Sequence, residues 1–189
     1  MKKESIFLVA VTLIVGVLVG VLISKTGSKP TPAPPQGGGQ PAAVNFQQNI
    51  KMLKDLVAGD PQNRNAWVQL GHNYFDSNQP MEAIEAYNKA LEINPNDPDV
   101  LTDQGVMFRS LGWFDKAVEN FKKANQLNPN HPQSLFNLGV VYRHDLQDLI
   151  KAREAWEAYV QRFPGTPGAQ QIQQELQSMG MPGGMPPRQ

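Results

Sequence analysis

The chain contains no cysteine. That excludes disulfides, thiolate zinc sites, iron–sulfur clusters, Cys-ligated haem and thiol nucleophiles. It also leaves the redox compartment open, since a chain without thiols persists on either side of a membrane. Net charge is missing too: 17 Lys and Arg balance 17 Asp and Glu over 189 residues. Between Val44 and Met179 there are 12 Lys and Arg against 16 Asp and Glu, which leaves that stretch at −4. Nucleic-acid binding needs a positive footprint, and none is present. Histidine is scarce. His72, His131 and His144 are the three in the chain, and none has metal-ligand spacing to another histidine or to a carboxylate pair. G-x-S-x-G, P-loop and dinucleotide fingerprints are absent. Asp and Glu are scattered as on solvated helix faces. The inventory therefore reads as non-enzymatic, with no metal and no cofactor.

Long apolar runs are also absent, with one exception. Ile6 to Ile23 reads IFLVAVTLIVGVLVGVLI without a charge. About 17–25 apolar residues cross a bilayer as a helix. A cleaved signal peptide also starts with positive residues such as Lys2 and Lys3, but its apolar core is shorter and an A-x-A-like site follows it. Residues 5–24 are therefore expected to form one transmembrane anchor after a tail of residues 1–4. Lys2 and Lys3 before the span face Lys25 and Lys29 after it, so the positive-inside rule barely decides. The free amino terminus tilts the reading to a single-pass inner-membrane protein with its N-terminus inside, which in a bacterium puts the bulk of the chain in the periplasm. Thr12, Gly16, Gly20 and Ser24 recur every four residues on one helix face. Gly16 and Gly20 form a GxxxG, which permits a homodimer through the anchor. Glycine and threonine are also common in membrane spans without such a role.

Residues 25–43, KTGSKPTPAPPQGGGQPAA, hold five prolines and a triple glycine and cannot bury a core. They read as a linker that holds the next domain off the bilayer, extended in the proline half and flexible in the glycine half. Residues 180–189 read as a disordered tail. Met181 and Met185 lie there and Met179 just before, but with no histidine near and no rigid scaffold they do not make a Cu(I) site.

Between these flanks the chain repeats itself. A shift of 34 superposes Gly71, Gly105 and Gly139, then Tyr74, Phe108 and Tyr142, then Pro61, Pro95 and Pro129. Ala83 matches Ala117, Tyr87 matches Phe121, and Ala90 matches Ala124. In the third unit Ala152, Trp156 and Pro164 come one residue late, which places an insertion in the His144–Leu149 turn. Trp67, Leu70, Gly71 and Tyr74 fall at i, i+3, i+4 and i+7, one face of a helix. Ala83, Tyr87, Ala90 and Leu91 repeat that pattern on a second helix. Turns are expected at Ser77–Pro80 and Leu111–Gly112, and Pro95 and Pro129 stop each second helix. The small Gly71, Ala83 and Ala90 allow close helix approach while Trp67, Tyr74 and Tyr87 fill the gaps beside them.

The order W-x2-L-G-x2-Y…A-x3-Y-x2-A…P over Trp67–Pro95 resembles the tetratricopeptide repeat. A second unit matches with Leu101 in the Trp place and Gln104 in the Leu place. A third matches through Leu135, Leu138, Gly139 and Tyr142, then departs where Tyr159 stands for a small alanine. The resemblance implies an all-α, right-handed superhelical array of helix-turn-helix repeats at 64–97, 98–131 and 132–165. A half-repeat cap at 44–60 and a cap helix at 166–179 flank it, with one transmembrane helix before it. Tyr159 is then expected to pack under the last cap.

The family likeness also implies that the first helix of each repeat lines a concave groove for a protein or peptide partner. Position by position that groove takes Val68, His72 and Phe75 from the first repeat. The second supplies Asp99, Thr102, Asp103, Val106 and Arg109, and the third Gln133, Phe136, Asn137, Val140 and Arg143. An apolar strip edged by arginines suits a partner segment with apolar side chains and a carboxylate. Family members that clamp a C-terminal carboxylate of heat-shock proteins use Lys and Asn where Val68 and His72 stand, so that function is excluded. Trp113 occupies a usually polar position and reads as either a contact or a core residue. The expected function is a membrane-tethered interaction scaffold. The alternative is an assembly factor similar to the membrane-anchored tetratricopeptide proteins of c-type cytochrome maturation.

Overall fold

The computed structural model describes residues 45–180. The expected anchor at 5–24, its Thr12, Gly16, Gly20 and Ser24 face, and the linker at 25–43 lie outside the described residues, as does the tail from 181 onward. No helix among the described residues is long and apolar enough to cross a membrane.

The described residues form eight α-helices and no strand. α1 spans Phe46–Gly59, α2 Arg64–Asp76, α3 Pro80–Ile93, α4 Pro98–Ser110, α5 Phe114–Leu127, α6 Pro132–Val140, α7 Leu149–Arg162 and α8 Pro167–Ser178. A π turn, Val141–Asp145, prolongs α6. The helix starts follow from the sequence. Asn45, Asn63, Asp97, Asp148 and Thr166 accept backbone N–H bonds from the first turns of α1, α2, α4, α7 and α8. Proline opens α3, α4, α6 and α8, where its missing N–H costs nothing.

Pairing within each repeat rests on one device. An aromatic ring of the second helix lies flat against a glycine of the first. A Cβ on Gly71 would stand 2.4 Å from Tyr87, one on Gly105 2.6 Å from Phe121, and one on Gly139 2.0 Å from Trp156. Ala83, Ala117 and Ala152 are fully buried beside these rings. Small against large is what lets the axes approach closely.

The turns inside the repeats show where the period changes. In the first, the Gln79 N–H donates to the Tyr74 carbonyl at 2.8 Å; in the second, the Trp113 N–H donates to the Phe108 carbonyl at 2.9 Å. Asn78 and Gly112 supply the left-handed residue that closes these ends, at φ 56° and 75°. In the third, the matching bond runs from the Asp148 N–H to the Tyr142 carbonyl, one residue longer, and Gln147 takes the left-handed place. The extra residue is not a loop insertion between His144 and Leu149, as the spacing alone suggests. It is absorbed earlier, where the π turn lets the Leu146 N–H reach the Val141 carbonyl at 2.9 Å. A widened helical turn accepts one more residue without leaving backbone groups unpaired.

Tyr159 is buried, and its hydroxyl would meet a Cβ on Gly168 at 2.3 Å. Where the earlier repeats put a small residue at Ala90 and Ala124, this one puts the large residue on α7 and the small one on α8. At the other end, Ile50, Leu53 and Val57 of α1 pack with Ala66, Leu70 and Ala86 in a cluster of their own. Trp67 and Tyr74 touch both that cluster and the main core.

Candidate functional site

The expected groove residues sit on α2, α4, α6 and, for Arg143, the π turn that prolongs α6; spacings of three and four keep most of them on one helix side. Val68, Phe75, Val106, Phe136 and Val140 are half-buried and pack on the main core while keeping one side open. They form a discontinuous apolar strip across three helices. A hollow of about 250 Å³ opens among His72, Phe75, Asp76 and Asp103.

The polar residues divide into those that staple repeats together and those left over. His72 Nε2 lies 3.1 Å from Asp103 Oδ2. That hydrogen bond raises the His72 pKa above 6.5, opposed by partial burial and helped by the charges of Asp103, Asp76 and Asp97. Asp99 is exposed and pairs with buried His131 at 3.0 Å. Arg109 is engaged as well: its Nε donates to Asp145 Oδ2 at 2.5 Å and a second nitrogen to Oδ1 at 3.2 Å. Arg64 pairs with Asp97. Each of these ties joins positions 31 to 36 residues apart, one repeat step.

Thr102 is a correction. It is buried, and its hydroxyl donates to the Pro98 carbonyl at 2.8 Å, so it bonds to its own helix and presents nothing to a partner. Gln133 is exposed and Asn137 half-buried. Arg143 is half-buried, and it is the groove cation without an ion pair among the described residues. Its Nε is buried with no hydrogen-bond partner among the described residues. The sequence reading missed Asp97, His131 and Asp145 as the partners of Arg64, Asp99 and Arg109. The available signal was opposite charge at about one repeat step.

Trp113 is 39 % exposed at the start of α5, with the Lys116 ammonium 4.6 Å from its ring centroid and Phe108 beside it. The other two tryptophans are pinned by their indole N–H groups, Trp67 to the Pro61 carbonyl and Trp156 to the Phe136 carbonyl. Between the second helices a row of amides goes unannounced by any motif. Gln104 donates to Asn88 Oδ1 at 2.8 Å and to the Ile84 carbonyl, and accepts from Asn120 at 2.8 Å. No group of three His, Asp or Glu side chains could hold a metal among the described residues.

Comparison with known proteins agrees with this geometry. Models described as tetratricopeptide repeat match residues 65–97, 86–119 and 133–166, and one described as TPR repeat matches 105–143. The crystal structure of MamA is similar at 23 % identity and a TM-score of 0.63, covering 71 % of this chain and 81 % of that one. The crystal structure of YrrB, described as a TPR protein with an unusual peptide-binding site, is similar at 22 % identity and a TM-score of 0.63, covering 68 % and 66 %. No curated protein matches the chain. With its glycine–aromatic steps at a 34-residue period and four repeat models matching across 65–166, the chain belongs to the tetratricopeptide repeat family.

Proposed function

We propose that this protein is a membrane-tethered scaffold whose α2–α4–α6 face holds a partner segment bearing apolar side chains and a carboxylate. The observation that carries the reading is Arg143. It follows the apolar Phe136 and Val140 in the chain and is in no ion pair among the described residues, whereas Arg64 and Arg109 are both paired. A half-buried guanidinium without a counter-ion favours a carboxylate brought by a ligand, and apolar anchors around it exclude water from that contact. YrrB, of the same fold, is described as having a peptide-binding site. The tether rests on the apolar run Ile6–Ile23 of the sequence, and the inner-membrane, N-inside placement rests on its flanks.

Site-specific photo-crosslinkers at Val106 and Val140 in the full chain, in native membranes, test the groove. The reading expects one dominant crosslinked partner. It expects Arg143→Glu to abolish that crosslink and Arg109→Glu to weaken it less. A crosslink pattern indifferent to Arg143→Glu overturns the reading. The tether is tested separately by alkaline extraction, where release of the full chain from membranes counts against it.

A further inference from the structure

A second surface shares no residue with the groove. A furrow of about 490 Å³ runs between the second helices α3 and α5, floored by Gln104 and Phe108 of α4. One end is apolar and open: Met81 is 46 % exposed and Trp113 39 %. Trp113 alone of the three tryptophans makes no hydrogen bond through its indole N–H among the described residues. A half-exposed indole with a spare donor is what interfaces use as an anchor. The other end is polar. The amide row fixes Gln104 from both sides, yet leaves the Asn88 NH2 and the Asn120 side-chain carbonyl without a partner among the described residues. Glu85 and Glu119 line the furrow one repeat step apart, and neither is in an ion pair among the described residues. Lys116, the cation among the described lining residues, lies over the rings of Trp113 and Phe108 at the apolar end, and the two carboxylates leave the lining at a formal −1.

We propose that this furrow binds an extended peptide segment of a partner protein carrying a lysine or arginine beside a proline or aliphatic side chain. The apolar side chain meets Met81 and Trp113. The cation meets the unpaired Glu85 and Glu119, whose shared sign sets the charge of the ligand. The spare donor on Asn88 and spare acceptor on Asn120 match one carbonyl and one N–H of an extended backbone. A helical ligand has already used those groups internally.

The probe is the capped peptide Pro-Leu-Pro-Lys-Leu-Pro, with a counterpart carrying glutamate for lysine. Both are titrated into the 15N-labelled full chain in detergent micelles. The expected result is a shift of the Trp113 indole N–H resonance with Trp67 and Trp156 unmoved. Binding should weaken by about tenfold or more with the glutamate peptide and with Glu85→Lys plus Glu119→Lys, the loss expected for a charge-assisted contact. Arg143→Glu should leave lysine-peptide binding unchanged, which separates this site from the groove. Equal binding of both peptides, or no shift of Trp113 up to the solubility limit, overturns the proposal. So does a dimer in sedimentation that Trp113→Ala disperses, since that assigns the furrow to a second copy.

Discussion

Gly139 lies so close beneath Trp156 that a single added Cβ would sit 2.0 Å from the indole Nε1. The ring cannot swing away, because it is 1 % exposed and its N–H donates to the Phe136 carbonyl at 3.1 Å. Overpacking of a closed core costs about 1–3 kcal/mol, and Gly139→Ala should reach the upper end of that range. Urea unfolding of the variant checks it. A loss below that of Gly71→Ala, where Tyr87 is less tightly held, would show that the third repeat yields more easily than its geometry implies.

Tyr87 carries a contrary prediction. Its ring is fully buried over Gly71, but its hydroxyl has no hydrogen-bond partner among the described residues, and burial pushes its pKa far above 10. An unpaired buried hydroxyl is a cost that phenylalanine avoids, and Phe121 already fills the matching place. Tyr87→Phe should leave stability unchanged or raise it by up to ~1 kcal/mol. A loss of that size in thermal melts would mean the hydroxyl has a partner.

The His72–Asp103 tie between α2 and α4 should depend on pH. The folded pKa of His72 is raised above its unfolded value, chiefly by the Asp103 hydrogen bond. Its contribution is therefore complete below the unfolded pKa of 6.5 and disappears as pH rises through the folded one. NMR titration of the His72 ring should show a pKa above 6.5 that falls in Asp103→Asn. The stability difference between the two proteins should shrink from pH 6 toward pH 9. A difference that grows with pH would reverse the sign of the argument.

Gln104 is a polar residue in a core position that repeats one and three fill with Leu70 and Leu138. Restoring leucine there looks like an improvement by the repeat pattern. The amide row says otherwise: Gln104→Leu would leave Asn88 Oδ1 without its donor and the Asn120 NH2 with the Leu101 carbonyl alone. A loss of about 1–2 kcal/mol is expected, read by chemical denaturation. A more stable variant would show the amides to be dispensable.

How much of this was legible in the sequence depends on what repeats. Gly71, Gly105, Gly139 and the rings opposite them recur at a fixed step, so the helix pairs and their contact faces could be read directly. The change at Tyr159 was visible as a mismatch, but its compensation at Gly168 was not, because that glycine lies in a helix outside the motif. The insertion was detectable as a one-residue lag, yet periodicity cannot say whether a loop or a widened helical turn absorbs it. The charge pairs were hidden for another reason. Arg109 looked like a free groove cation because its partner Asp145 sits at 36 residues, in the very turn that departs from the 34-residue period. Thr102 was misplaced by carrying over a groove position whose side chain here folds back on the Pro98 carbonyl.

The separate small cluster of α1 has a mechanical meaning. Any pull on the chain from the side of residue 44 reaches α1 first. Its Ile50, Leu53 and Val57 are sealed against Ala66, Leu70 and Ala86, with Phe46, Trp67 and Tyr74 packed at the edge, and its Met52 and Leu56 face water. Small peripheral units open at lower free energy than the whole. α1 is therefore the unit expected to open first, and its loss would uncover Ala66 and Leu70 of α2.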